Sequence, residues 1–424
     1  MGVFHQYFYI KGVMTMNNKQ QIQNRIRRSK YRRRMKKKQF SEDYDNFDKI
    51  VTFKHFVESY KKSTKGVGWK DSVQTYSQKV ITKIWDAVNI VETGVIPPLR
   101  NKKTIEICER GKHRTIFPVV IDDRVIQKVF CDYSLTPLVE RTIIEANCAS
   151  LKGKGVQYAR DRITQMIRSA RNEYGNIFYV LVFDFKSYFD SIPHRTCEYV
   201  LNKLYSDKRI VNMLMQIVRS YHIPEIERIK NKSVRDLEMK KLLNNERCGI
   251  CLGSQVSQLL ALLVPNSIDH LIKDKFGIKH YIRYMDDGII IAKDKETLNN
   301  LFEAMENEAE KLGLKFSKAK TYTVKSTKGF TFLKVRYWIG NDGRVHKKLF
   351  RSGITRMRRK LKKFKKKTDN GTMTLKNVYD SMQSWLEHSK VADSYHTKNS
   401  MLRLYKKLFG KFHIVKGGIR YDIL

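Results

Sequence analysis

Apolar residues recur every three or four positions through residues 46–97. Phe53, Phe56, Val57 and Tyr60 fall on one face, and Val80, Ile81, Ile84, Trp85 and Val88 on another, which predicts helices. Pro97 and Pro98 end that stretch. Residues 104–108 and 115–120 read as two short strands around a turn, and 123–147 returns to the helical period. A Gly- and Lys-rich loop at 149–155 precedes a helix expected over 157–172. The pattern then changes. Residues 177–183, Ile-Phe-Tyr-Val-Leu-Val-Phe, form a continuous apolar run that ends on Asp184 and predict a buried strand. Helical spacing over 194–222 gives way to a charged, irregular stretch over 224–247, expected to be a surface insertion. A helix over 255–276, a hairpin from 279–284 and 287–293, and a helix over 295–312 follow. Short strands are expected at 320–324, 329–337 and 345–349, and from 351 the chain reads as helical and basic to its end.

Charge narrows the function. Lys and Arg number 84 against 42 Asp and Glu, a net charge of +42 over 424 residues. An ordinary metabolic enzyme is excluded as the default reading, and nucleic acid is the commonest polyanionic partner. Apolar residues are 41% of the chain, enough for a sizeable core rather than wholesale disorder. One basic cluster lies in residues 17–40, where Arg27, Arg28, Arg32, Arg33 and Arg34 are candidate phosphate contacts. A second follows residue 350, where Arg356, Arg359, Lys363 and Lys366 alternate with an apolar face of Ile354, Met357, Leu361 and Phe364. Trp385, Tyr395 and Tyr405 are expected in the core there. No apolar run is long enough to span a membrane, so no membrane partner is expected. Six scattered cysteines fit a reducing cytoplasm, and the lone Cys248-x-x-Cys251 reads as structural.

The candidate chemistry sits on two strand ends. Asp286 and Asp287 follow Tyr284 and Met285 at a tight turn between apolar strands. Two adjacent carboxylates repel, and apolar flanks hold them at a buried edge, a conflict that a divalent cation resolves. A solvated hairpin turn is the plain alternative. Asp184 ends the apolar run, where it is either a helix cap or a third ligand. Together the acids would make a two-metal site for in-line nucleotidyl transfer.

These acids stand in a longer series. Asp184 with Phe189, and Tyr284 to Asp287, resemble the two acid motifs of reverse transcriptases. Gly111 to Arg114 with Asp123, Arg124 and Gln127 resembles the fingers motif of the bacterial enzymes, and Ser150 to Gly155 the next. Leu252 to Gln258 resembles the palm-helix motif, Leu314 to Thr321 the motif after it, and Gly329 to Leu333 the primer-grip hairpin. The resemblance runs in order over about residues 100–350. It implies an α+β right-hand polymerase with an N-terminal basic extension (1–45), fingers (46–175), a palm of antiparallel sheet backed by helices (176–349, with the insertion at about 224–247) and a helical basic thumb (350–424).

The resemblance also implies roles. Asp184, Asp286 and Asp287 would ligate two Mg²⁺ ions, and Lys320 would protonate the leaving pyrophosphate. Among dNTP contacts, Lys112 and Arg114 would hold the triphosphate, and Phe189 would exclude a 2′-hydroxyl. Gly253 would admit close backbone approach, and Gln258 would bond near the template base. Partners would be an RNA template, the RNA–DNA hybrid, dNTPs and a structured non-coding RNA, with an accessory protein or self-association possible. Three positions depart from the family: Cys251 replaces a proline, Ser257-Gln258 a Ser-Pro, and Lys334 a glycine. The Ser-Gln ending resembles defence-associated and diversity-generating reverse transcriptases. A bacterial antiviral role follows from that resemblance, with a diversity-generating or group II intron-like mobile retroelement as the alternative. A catalytically silent RNA-binding scaffold is the alternative of another class.

Overall fold

The structure, a computed structural model, describes residues 42–96, 99, 104–109, 112–410, 413–415 and 418–420. Arg27, Arg28, Arg32, Arg33 and Arg34 lie outside the described residues. The chain divides into two units, one made of Met1–Thr142 with Ile192–Leu263, the other of Ile143–Ser191 with Val264–Leu424.

In the first unit, helix α1 (Phe53–Thr64) begins where the Thr52 side chain accepts the N–H of His55, satisfying a donor that the helix itself cannot. Helix α2 (Val80–Glu92) buries Ile84, Val88 and Val91. Ile81 and Trp85, expected on the same buried face, are instead exposed. Helix α3 (Ile121–Phe130) packs on α1 and buries Val125, Val129 and Phe130. Strands β1 (Ile105–Glu109) and β2 (Lys112–Ile116) form an antiparallel hairpin with Glu109 opposite Lys112. The helical stretch expected over 194–222 holds two helices, His194–Leu204 and Lys208–Ser220; the Asp207 side chain caps the second by accepting the N–H of Arg209. The stretch at 224–247 is not irregular. It holds helices Ile223–Glu227 and Lys232–Leu243, and the second buries only Leu242. With its apolar residues Val234, Leu237 and Leu243 exposed, its sequence shows no inward stripe to read. The helix expected over 255–276 ends at Leu263, because Pro265 supplies no backbone N–H; Asn266–His270 and the wide turn Leu271–Lys275 follow.

The second unit is built on a four-stranded antiparallel sheet in the order β4-β5-β3-β6, with β3 Tyr179–Asp184, β4 His280–Tyr284, β5 Asp287–Ala292 and β6 Tyr322–Lys325. Val180, Ile282, Ile289 and Ile291 face helix α4 (Val156–Tyr174) through Ile163 and Ile167. Helix α5 (Lys295–Lys311) also packs on β3 and β5 and buries Leu298, Leu301 and Met305. Both faces of β3 are therefore covered, which is why its sequence is apolar without alternation. A second sheet, β7 (Phe330–Phe332), β8 (Val335–Ile339) and β9 (Val345–Leu349), adds Phe330, Val335 and Tyr337 to the same core. Lys334, in place of the family glycine, does not abolish the β7–β8 hairpin: Leu333 and Lys334 both take positive φ, 45° and 67°. Helices α6 (Arg351–Asp369), Leu375–Ser389 and Tyr395–Phe409 share a core of Met357, Leu361, Val378, Met382, Met401 and Tyr405. Tyr405 and half-buried Trp385 meet the core expectation, but Tyr395 is 72% exposed. The chain does not stay helical after α6 and its partners, since backbone segments His413–Val415 and Gly418–Arg420 pair as strands.

Candidate active site

Strand register brings the acids together. Asp184 is the last residue of β3 and pairs with Asp287, the first residue of β5, which also faces Tyr284 of β4. Met285 and Asp286 make the two-residue turn between β4 and β5, and Phe185 N–H donates to the Asp286 carbonyl at 3.2 Å. Carboxylate oxygens of Asp184, Asp286 and Asp287 all lie within 4.8 Å of one another. Among the described residues this is the one group of three or more His, Cys, Asp or Glu side chains placed to hold a metal ion.

The electrostatics follow from that crowding. Asp184 is 4% exposed. Burial first, then the Asp286 charge and the Asp184 contact, push the Asp287 carboxyl up to about 8. Lys320 answers part of the negative charge. Its ammonium donates to Asp184 Oδ2 at 2.5 Å, and although burial opposes it, this carboxylate raises the ammonium pKa. Lys320 is delivered by a segment laid along the end of β3, where Ser317 N–H donates to the Asp184 carbonyl at 2.7 Å. Three close hard-oxygen donors with an excess of negative charge fit a divalent cation.

An aromatic run extends from the acids. Phe185 stacks on Phe316 at 4.7 Å and on Tyr188 at 5.2 Å, and Tyr188 meets the edge of Phe189 at 5.8 Å. Phe189 is half-buried at the end of this run, in the same unit as the acids.

Lys112, Arg114, Gly253 and Gln258 belong to the first unit. Lys112 lies on β2, as does Arg114, which is exposed and paired in register with Ile107. Gly253 has φ 116°, and a Cβ there would sit 2.9 Å from the Phe117 carbonyl, so only glycine fits. Gln258 is exposed on the helix Gln255–Leu263. Gln127 steadies this loop, accepting from the Ser254 hydroxyl at 3.1 Å and donating to Tyr221 at 2.8 Å. A cavity of about 340 Å³ beside Gly253 is lined by Lys62, Lys65, Arg124 and Lys128, a concentration of cations that their sequence separation concealed. Lys62 and Lys128 share Asp132, each at 3.0 Å.

On α6, Arg356, Arg359, Lys363 and Lys366 are all exposed. At 100° per residue they fall on one side, opposite Ile354, Met357, Leu361 and Phe364. Cys248 is exposed and Cys251 buried. Burial pushes the Cys251 thiol up to about 12, and its Sγ donates to the Leu252 carbonyl, which suits the structural reading.

Sequence reasoning missed Asp269 and Arg283. Asp269 is wholly buried and Arg283 1% exposed, and they pair beneath the acid turn. A charged residue inside the apolar β4 pattern was the available signal. Among the described residues, no helix is long and apolar enough to cross a membrane.

Comparison with known proteins supplies a family. The family model described as "Reverse transcriptase (RNA-dependent DNA polymerase)" matches residues 100–337, more than half of the chain. A comparison with curated proteins finds no match. Among solved structures, apo telomerase from Candida tropicalis truncated from its C-terminal domain aligns at 15% identity and TM-score 0.42, covering 63% of this chain and 60% of that one. Telomerase from Candida albicans in complex with a TWJ fragment of telomeric RNA aligns at 12% identity and TM-score 0.39, covering 78% of this chain and 66% of that one.

Proposed function

The chain belongs to the reverse transcriptase family, and on that premise we propose that it is an RNA-directed DNA polymerase making cDNA from deoxynucleotides. The observation that carries the reading is the convergence of Asp184, Asp286 and Asp287 at the ends of β3 and β5. These residues would hold two Mg²⁺ ions. Bound there, the ions would lower the pKa of the attacking 3′-hydroxyl and neutralise the departing pyrophosphate. Lys320, which donates to Asp184, would supply the proton that the leaving group takes. Phe189 excludes the 2′-hydroxyl by its bulk. Lys112 and Arg114 hold the triphosphate, Gly253 lets backbone approach the nucleotide, and Gln258 bonds near the template base. The stripe of Arg356, Arg359, Lys363 and Lys366 tracks the phosphates of an RNA–DNA hybrid, read by shape. Lys334 leaves the primer-grip hairpin in place, with its turn residue charged.

The biological reading is a bacterial antiviral reverse transcriptase, acting in the cytoplasm with a dedicated structured non-coding RNA. It is supported by the Ser257-Gln258 ending and by the basic segment containing Arg27 to Arg34. The fingers, palm and thumb boundaries at about 46, 176 and 350 are part of the same proposal.

The test is sequencing of RNA and DNA bound to the protein in cells, wild type beside the Asp286→Ala, Asp287→Ala double variant. DNA complementary to one bound RNA, present only with wild type, supports the reading. A diversity-generating role would show instead as cDNA of a variable repeat. RNA with no variant-dependent DNA, together with no primer extension by purified protein, would make the chain a scaffold.

A further inference from the structure

We propose that the buried Asp269–Arg283 ion pair, with Tyr281, is a positioning device that sets the spacing of the acid cluster through the backbone of the Met285-Asp286 turn. The inference rests on reading that cluster as a metal site.

Arg283 lies on β4 two residues before the turn and points into the protein. Its Nε donates to Asp269 Oδ1 at 2.8 Å and its Nη2 to Asp269 Oδ2 at 2.5 Å. Tyr281 O–H donates to the same Asp269 Oδ1 at 2.6 Å. A carboxylate gripping two nitrogens of a planar guanidinium fixes the plane of the whole group. The remaining nitrogen, Nη1, then donates to the Met285 carbonyl at 3.0 Å. Arg283 cannot slide along the strand either, because its own N–H donates to the Ala146 carbonyl at 3.0 Å and its carbonyl accepts from Cys148 N–H at 2.9 Å.

The turn needs such a hold. Met285 has φ 55°, a conformation that L side chains rarely adopt. Three crowded carboxyl groups sit beside it. Opposite Arg283 stands Gly288, where a Cβ would lie 2.1 Å from the Phe183 ring, so the hairpin and β3 are in closest possible contact just behind the acids. The turn is thus tied at two successive carbonyls, Met285 to Arg283 and Asp286 to Phe185. A buried ion pair gives little net stability, because desolvation offsets the attraction, so direction is what this pair contributes.

The test replaces the pair with apolar residues of similar size, Asp269→Leu with Arg283→Met, leaving no stranded charge. Mn²⁺ binding is followed by its own paramagnetic resonance signal, and primer extension is measured in parallel. In the folded variant, Mn²⁺ affinity and kcat are each expected to fall about 10–100-fold, with KM for dNTP unchanged. Wild-type Mn²⁺ affinity and kcat in a variant that melts normally would overturn the proposal. Should the double variant not fold, Arg283→Lys keeps a charge opposite Asp269 but cannot also reach Met285. It is expected to lower kcat with KM unchanged, and a wild-type kcat would overturn the proposal. If the wild type binds Mn²⁺, the variant binds it more weakly and neither extends a primer, positioning stands and the polymerase reading falls.

Discussion

Of the turns in the second unit that carry left-handed residues other than glycine, two each have a buried arginine donating to one of their carbonyls. At the acid turn, Arg283 holds the Met285 carbonyl at 3.0 Å; at the β7–β8 turn, Arg160 Nη2 holds the Leu333 carbonyl at 2.8 Å. The difference lies behind the arginines. Arg283 is locked by Asp269: burial opposes the charged form most strongly, yet the Asp269 charge and hydrogen bonds together leave the guanidinium pKa raised. Arg160 is 8% exposed, burial lowers its pKa, and its Nε has no hydrogen-bond partner. One turn is clamped by a charge pair, and the other is held by a single arm whose own charge is poorly compensated. A turn that must present two carboxylates within 4.8 Å of a third tolerates less motion than one at the rim of a second sheet.

The largest expected effect tests whether the clamped turn is the chemical one. Asp286→Asn with Asp287→Asn should slow primer extension by at least ~10³-fold while the fold survives, because the ligand set is lost. A much smaller loss would leave both turns structural. Next, Asp269→Ala strands a buried guanidinium and should cost about 3–5 kcal/mol in urea unfolding. Arg160→Met removes one hydrogen bond together with a poorly compensated charge and should shift stability by only about 1 kcal/mol. Equal costs would erase the distinction between the two arginines.

The pH dependence of the metal-free protein sharpens the point. The Asp287 carboxyl is held at about 8 in the folded state, above the ~3.9 of an unfolded chain. Between those values the folded state keeps a proton that the unfolded state has lost, so stability falls as pH rises from about 4 to about 8. Asp287→Asn should flatten that slope, measured as unfolding free energy against pH; an unchanged slope would place the buried charge elsewhere. The smallest effect separates strain from positioning. Met285→Gly and Leu333→Gly each relieve a left-handed backbone and should change stability by less than about 1 kcal/mol. Only Met285→Gly should lower kcat, and a matching loss at Leu333→Gly would show that both turns position the reaction.

The acids were legible because each ends or begins an apolar run, and a carboxylate at a buried strand end has few bland explanations. The fold class was legible for the same reason: β3, β4 and β5 announce themselves by composition. Asp269 and Arg283 were not, since they lie 14 residues apart on different elements and each alone reads as an ordinary charge. The cations around the 340 Å³ cavity come from two separate segments, the end of α1 and the middle of α3, and periodicity carries no trace of their meeting. Lys232–Leu243 hid because a helix with one buried residue has no stripe. Ile81 and Trp85 misled in the opposite sense, since apolar spacing predicts a face without saying how wide the cover over it is.

The register of β3 has a consequence for the making of the chain. Its two neighbours in the sheet, β5 and β6, are both encoded later, and the whole of Ile192–Leu263, which belongs to the other unit, is translated in between. Asp287 leaves the ribosome roughly a hundred residues after Asp184, a wait of about 5–20 s. Through that interval Tyr179–Asp184 is an apolar strand with both edges unpaired, the kind of segment that recruits chaperones or neighbouring nascent chains. The acid cluster therefore cannot close until the later strands have been made, so the assembly of this site waits on one short strand finding its partners.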